Sequence, residues 1–117
     1  MQWVDRGGCE KKNLFNMTIK EFRQSIFIEY PPIGLSEPLC AMWYSQKGDW
    51  DKAHNIAQDI SNELGSWIHA HLHRVEGDIS NAGYWYRKAN RPPHSGSTET
   101  EAEEIIQYII QKEREVV

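Results

Sequence analysis

Three histidines alternate with apolar residues between positions 69 and 73 of this 117-residue chain, and Glu76 follows one turn later. Imidazole is the commonest metal-binding side chain and can also move protons near neutral pH. Two kinds of chemistry are therefore open to this segment: binding of zinc or iron, and acid–base catalysis. Which of these residues can act together depends on the local backbone conformation.

The segment from Ser66 to His73 has two structural interpretations. As a strand, it would place His69, His71 and His73 on one face, which would suit a zinc or iron site. As a helix, it turns His71 about 200° away from His69. His69, His73 and Glu76 then remain on one face, at i, i+4 and i+7. The internal repeat described below favours the helix.

In a helix, the pair His69 and His73 can have three roles. The first is structural: core histidines hydrogen-bonded to the backbone, a tyrosine or an acid, because a buried imidazole needs a partner. The second is a metal site made of His69, His73 and Glu76, joined by His54 of the preceding helix. The third is catalysis by His69, His73 and Glu76, as in a small metal- or histidine-dependent enzyme. We predict the structural role, and therefore neither a catalytic residue nor a metal or other cofactor.

A repeat with an offset of 29 residues orders the middle of the chain: Gly48-Asp49 recurs as Gly77-Asp78, and apolar residues coincide on both sides. Such self-similarity is typical of stacked helical hairpins. In each copy the glycine can end one helix in the left-handed conformation, and the aspartate can cap the next helix. The pattern predicts hairpins over about 36–62 and 66–91.

Elements on either side of the hairpins complete the predicted fold. Thr18 and Glu21 form a capping box that starts a helix over about 19–29. A second box, Thr98 with Glu101, starts a helix over about 99–115 that carries a stripe of isoleucines. Residues 1–16 lack periodicity and are expected to be a flexible leader. The sequence thus predicts one all-α domain, residues 17–117, of five to six antiparallel helices.

The residues from Gly77 to Ala89 (GDISNAGYWYRKA) resemble the second helix of a tetratricopeptide or Sel1-like repeat. Ala82 and Ala89 fall on the two small positions of that pattern, and Tyr86 falls on its large packing position. The run from His69 to Arg74 also looks like short uncharacterised bacterial proteins. The resemblance implies two tetratricopeptide-like hairpins in a bacterial protein that serves as a scaffold for other proteins.

Composition narrows the class of partner. The net charge of −4 argues against nucleic acid, whose binding needs clustered Lys and Arg. No stretch approaches the ~20 apolar residues of a membrane span, and the N-terminus lacks the apolar region of a secretory signal. Cys9 and Cys40 lie in unlike surroundings and are expected to be reduced. These features predict a cytoplasmic protein.

We therefore predict a non-catalytic protein-interaction or scaffold domain that binds another protein or a peptide. One alternative is the enzyme described above, and another is a small-ligand module that uses the aromatic cluster from Tyr84 to Tyr86. The isoleucine stripe of the last helix also suggests a homodimer. The residues expected to line the binding groove are Tyr44, Trp67, His71, Arg74, Tyr84 and Arg87.

Overall fold

The computed structural model describes residues 17–115, which form six helices without a strand. The predicted all-α fold is confirmed. Because residues 66–75 are helical, the strand interpretation of the histidine segment is wrong. The predicted leader, residues 1–16, lies outside the described part of the chain. The helices are α1 (Ile19–Ser25), α2 (Glu37–Lys47), α3 (Trp50–Gln58), α4 (Glu63–Glu76), α5 (Ile79–Lys88) and α6 (Thr98–Glu115). Within residues 17–115, no helix combines the length and the apolar character needed to cross a membrane.

Two helical hairpins, α2–α3 and α4–α5, turn at equivalent residues. Gly48 and Gly77 end α2 and α4 with φ angles of 89° and 91°, a conformation that glycine adopts without strain. Asp49 and Asp78 then cap α3 and α5, each accepting a hydrogen bond from the backbone N–H three residues later. Both turns agree with the prediction from the 29-residue repeat.

The first helix begins as predicted but is shorter. The side chains and backbone of Thr18 and Glu21 form the predicted capping box. However, α1 ends at Ser25 instead of near residue 29. The carbonyl oxygens of Ile26 and Ile28 each accept a hydrogen bond of 2.8 Å from Lys47 Nζ on α2. These bonds take the place of a continued helical ladder.

The histidine-bearing helix α4 starts three residues before the predicted hairpin. Asn62 caps it by accepting a hydrogen bond of 2.8 Å from the backbone N–H of Gly65. Gly65 and Ser66 therefore lie within the helix and not in a turn before it. A Cβ atom on Gly65 would overlap the carbonyl oxygen of Ile60. Glycine is needed here because the first turn of α4 closely approaches the backbone of Ile60, in the connection between α3 and α4.

The last helix, α6, packs across α2 and α4 and contributes its isoleucine stripe to the core. That stripe is buried within the chain. The homodimer suggested from it stays a prediction. Ser97 caps α6 by accepting a hydrogen bond of 3.0 Å from the backbone N–H of Thr100. The predicted capping box of Thr98 and Glu101 is wrong, because the Glu101 side chain is buried and bonded elsewhere.

Cys40, in α2, is fully buried and takes part in a disulfide bond. The expectation of a reduced thiol is therefore wrong for this residue, and Cys9 lies outside the described residues. The argument for a reducing compartment loses its support from Cys40.

Candidate metal centre

The three histidines of α4 point to two different places. His71 lies against α6, whereas His69 and His73 contact rings from neighbouring helices on the opposite side of α4. Two buried polar groups result. We call them the Glu101 cluster, formed by Trp67, His71, Arg74, Tyr86 and Glu101, and the histidine cluster, formed by His54, His69 and His73.

In the Glu101 cluster, one carboxylate accepts four hydrogen bonds. Its Oε1 atom accepts from His71 Nδ1 at 2.9 Å and from an Arg74 guanidinium nitrogen at 2.8 Å. Its Oε2 atom accepts from Trp67 Nε1 at 3.1 Å and from the Tyr86 hydroxyl. The side chains of Glu101 and His71 are 0% and 1% exposed. Protein donors therefore replace the water that would otherwise solvate the carboxylate.

These hydrogen bonds keep Glu101 ionised inside the core. Burial alone would raise the pKa of its carboxyl group, but the hydrogen bonds from His71, Tyr86 and Arg74 lower that pKa to about 2. Burial and the bonded carboxylate raise the pKa of Tyr86 above its ordinary value. Each of the four donors occupies one acceptor site of the carboxylate. The Glu101 cluster is therefore a fully satisfied hydrogen-bond network, as is typical of a structural role.

The groove predicted from the sequence is not a continuous surface. Its central members are covered by α6 and bonded to Glu101, and the Arg91 guanidinium carbon lies 3.5 Å from the centroid of the Trp67 ring. The six predicted residues fall in three places: Trp67, His71 and Arg74 in the Glu101 cluster, Tyr84 and Arg87 on the exposed surface of α5, and Tyr44 half-buried in α2.

Sequence reasoning missed Glu101 because it lies in the acidic start of a helix and was taken as part of a cap. A signal was present in its register. Glu101 precedes Ile105 by four residues and Ile109 by eight, so it lies on the apolar face of α6. A carboxylate on such a face predicts a buried acid that needs several donors.

In the histidine cluster, three imidazoles from two helices meet. The ring centroid of His69 lies 4.4 Å from that of His54 and 5.0 Å from that of His73, and the centroids of His54 and His73 are 5.4 Å apart. One nitrogen from each ring lies within 4.8 Å of the other two. His69 and His73 share one face of α4, and His54 comes from the first turns of α3.

Two indoles enclose these imidazoles. The Trp50 ring stacks on His54 with 4.7 Å between centroids, and the Trp85 ring stacks on His69 at 3.8 Å. Trp50 Nε1 donates a hydrogen bond of 2.6 Å to the backbone carbonyl of Leu72, which fixes this indole against α4. The indoles restrict how His54 and His69 can turn and shield their faces from water.

The imidazoles differ in their hydrogen bonds. His73 Nδ1 lies 2.8 Å from Glu76 Oε2, so Glu76 favours the tautomer in which His73 Nε2 carries the lone pair. Within the described range 17–115, neither His54 nor His69 has a hydrogen-bond partner. His69 is only 5% exposed. A buried polar ring without a partner is unusual, because nearly all buried polar atoms are hydrogen-bonded.

Burial and repulsion between the imidazoles disfavour protonation of His54 and His69. The pKa of His69 is lowered to about 4, first by burial and then by the neighbouring His54 and His73. The pKa of His54 is also lowered, by burial and by His73, although Glu76 and Asp51 act in the opposite direction. Neutral imidazole with a free lone pair is the form that binds a transition metal.

The donor set fits a small transition-metal ion after the side chains close in. In a tetrahedral site with bonds of about 2.0–2.1 Å, ligand nitrogens lie about 3.3 Å apart. Nitrogens now within 4.8 Å of each other would approach by up to roughly 1.5 Å. Glu76 is placed as the outer partner of His73, whereas the metal alternative drawn from the sequence included it among the ligands.

The outcome for the sequence hypotheses is mixed. The structure brings together His54, His69 and His73, the imidazoles of the metal alternative. The hydrogen-bond partner required by the predicted structural role is present for His73, and none is found for His69 in the part of the chain that the structure describes. Trp50 and Trp85 form walls of the cluster. In comparisons with known proteins, no family model matches the chain, and no curated protein or solved structure matches it.

Proposed function

We propose that this protein is a metal-binding helical domain that holds one divalent transition-metal ion through His54, His69 and His73. Zinc is the ion that we propose first. The observation that carries the proposal is the buried imidazole of His69, which has no hydrogen-bond partner among residues 17–115 and lies within ligand reach of two other imidazoles. Coordination would satisfy nitrogens that hydrogen bonding leaves free. It would thereby offset the cost of burying them.

The ligand type supports a transition metal over magnesium or calcium. Imidazole nitrogen suits zinc, copper and nickel, whereas magnesium and calcium prefer carboxylate and carbonyl oxygen. His69 and His73 are 5% and 6% exposed, so little of either ring faces solvent. This burial favours metal binding over the histidine-dependent enzyme, because a catalytic group must reach a substrate.

A protein or peptide partner in the cytoplasm is the second candidate. It is favoured by apolar side chains exposed between α1 and α2, among which Phe27 is 89% and Ile33 is 61% exposed. Replacing both by Asp should abolish capture of such a partner from a cell lysate and leave the metal titration unchanged. Capture that survives the double substitution would contradict this candidate.

Metal titration tests the main proposal. Protein freed of metal with EDTA is titrated with Zn²⁺ by calorimetry and with Co²⁺ by visible absorption. We expect one ion per chain and the intense cobalt bands of a tetrahedral site. His69→Ala and His54→Ala should abolish stoichiometric binding. His94→Ala is the matched control, because His94 pairs with Glu104 away from the cluster.

Two results would overturn the proposal. The first is a wild-type protein that binds no stoichiometric zinc or cobalt. The second is binding that His69→Ala and His54→Ala retain at the level of His94→Ala. Circular dichroism of each variant should show the wild-type helical content, so that loss of binding is not confused with loss of fold.

A further inference from the structure

Acidic side chains surround the end of the histidine cluster that lies near the helical turns. Glu76 ends α4, and Asp78 caps α5 directly after the turn at Gly77. Together with His73 they form a second group of metal-binding side chains, in which the ligand atoms all lie within 4.8 Å of one another. Glu76 and Asp78 are exposed, whereas His69 and His73 are buried and His54 is half-buried.

His73 belongs to both groups. Its ring is nearly buried, with His69 at 5.0 Å between centroids on one side and the exposed Glu76 carboxylate on the other. Exposed acids alone would not indicate a site. The independent observation is His69, a buried imidazole for which residues 17–115 supply no hydrogen-bond partner. An ion held by the outer carboxylates would be one side chain away from these nitrogens.

We infer that Glu76 and Asp78 form the entry position of the metal centre, where a divalent cation is captured from solvent before it reaches His54, His69 and His73. This inference rests on the proposed metal-binding function. Exposed carboxylates raise the local concentration of cations and speed their association.

The charges on other elements agree with this route. Asp51, on α3, adds a third carboxylate that acts on His54. On α5, Lys88 Nζ lies 5.8 Å from the centroid of Trp85, the indole that covers His69. A cation approaching over Trp85 would therefore meet a positive charge, whereas one approaching past Asp78 would not.

The Gly-Asp repeat supplies a matched pair of variants. Asp78→Asn removes the charge but keeps the cap, because asparagine caps helices as well as aspartate does. Asp49→Asn makes the same change at the equivalent cap of α3, whose aspartate is not in the metal-binding group. Association of Co²⁺ with the metal-free protein is followed by stopped-flow quenching of tryptophan fluorescence, at low and at high salt.

We expect Asp78→Asn to slow association about threefold or more at low salt, to lose most of that effect at high salt, and to leave the dissociation rate unchanged. Asp49→Asn should retain the wild-type rate. Equal rates for the two variants, or a change in dissociation alone, would overturn the entry position while one ion per chain still binds. A wild-type protein that binds no cobalt would instead overturn the metal-binding function itself.

Discussion

On one face of α4, His71 joins a carboxylate that satisfies every donor around it, whereas on the other face His69 is buried almost as deeply with no hydrogen-bond partner among residues 17–115. Satisfied polar networks make a fold specific, and unsatisfied groups cost stability. Where a protein retains such a group, function is the usual reason. The difference supports a structural role for the Glu101 cluster and the metal binding that we propose for the histidine cluster.

Removing the charge of Glu101 should have the largest effect on stability. Glu101→Gln leaves the Arg74 charge uncompensated and offers one acceptor oxygen to donors that now share two. We expect a loss of about 3–5 kcal/mol in the free energy of unfolding, measured with urea. Glu104→Gln, at an exposed position of the same helix, should cost less than about 1 kcal/mol. If Glu101→Gln lowers the free energy of unfolding by less than about 1 kcal/mol, the structural assignment of the Glu101 cluster is contradicted.

Replacing His69 should show the opposite behaviour. His69→Leu removes unsatisfied nitrogens and keeps much of the volume, so the metal-free protein should keep its stability or gain up to about 1 kcal/mol. With Zn²⁺ at one hundred times the dissociation constant, the wild type should gain about 2.7 kcal/mol and the variant nothing. Urea unfolding in EDTA and in excess zinc measures both. A loss of several kcal/mol in EDTA would mean that His69 is structural.

The helices and their turns were predictable because their signals are local. Gly48 and Asp49 act within two residues of each other, and the capping box of Thr18 and Glu21 spans one turn. The second hairpin was predicted to start near residue 66, three residues late, because a glycine in a turn and a glycine that admits a neighbouring backbone, such as Gly65, look alike in sequence. Only the position of Ile60 distinguishes them.

The two polar clusters could be predicted only in part. Helical spacing placed His69 with His73, and the neighbouring helix supplied His54 as a candidate. His71 finds its hydrogen-bond partner on α6, where Glu101 lies 30 residues beyond His71 in the sequence. Such a contact is fixed by the packing of the whole domain, and spacing within one helix does not reveal it. The covered groove was missed for the same reason.

The two clusters should also make the free energy of unfolding of the protein fall in different pH ranges. The folded pKa of His69, about 4, lies below its ordinary 6.5, so the unfolded chain binds the proton first and stability falls as the pH drops from 6.5 to 4. The fall between pH 7 and 5 should be about 2 kcal/mol, with His54 acting in the same direction. Glu101, with a folded pKa of about 2 against 4.5, adds a fall from pH 4.5 downward.

Urea unfolding of the metal-free protein across these pH values separates the two contributions. His69→Leu should remove much of the loss of stability between pH 7 and 5. It should leave the loss below pH 4.5, which is due to Glu101, unchanged. Should the variant and the wild type show the same dependence between pH 7 and 5, the neutral, desolvated state assigned to His69 would be incorrect.

The smallest expected effect on stability comes from removing Arg91, which covers Trp67 at the edge of the Glu101 cluster. Arg91 lies over Trp67 but gives no hydrogen bond to the carboxylate, so Arg91→Ala should cost only about 0.5–1 kcal/mol in urea unfolding. Lys112→Ala, which removes an exposed cation near Tyr108, is the control. A cost near that of Glu101→Gln would mean that shielding from water, and not hydrogen bonding, stabilises this cluster. The contrast with the histidine cluster would then disappear, because Trp50 and Trp85 also cover imidazoles of that cluster.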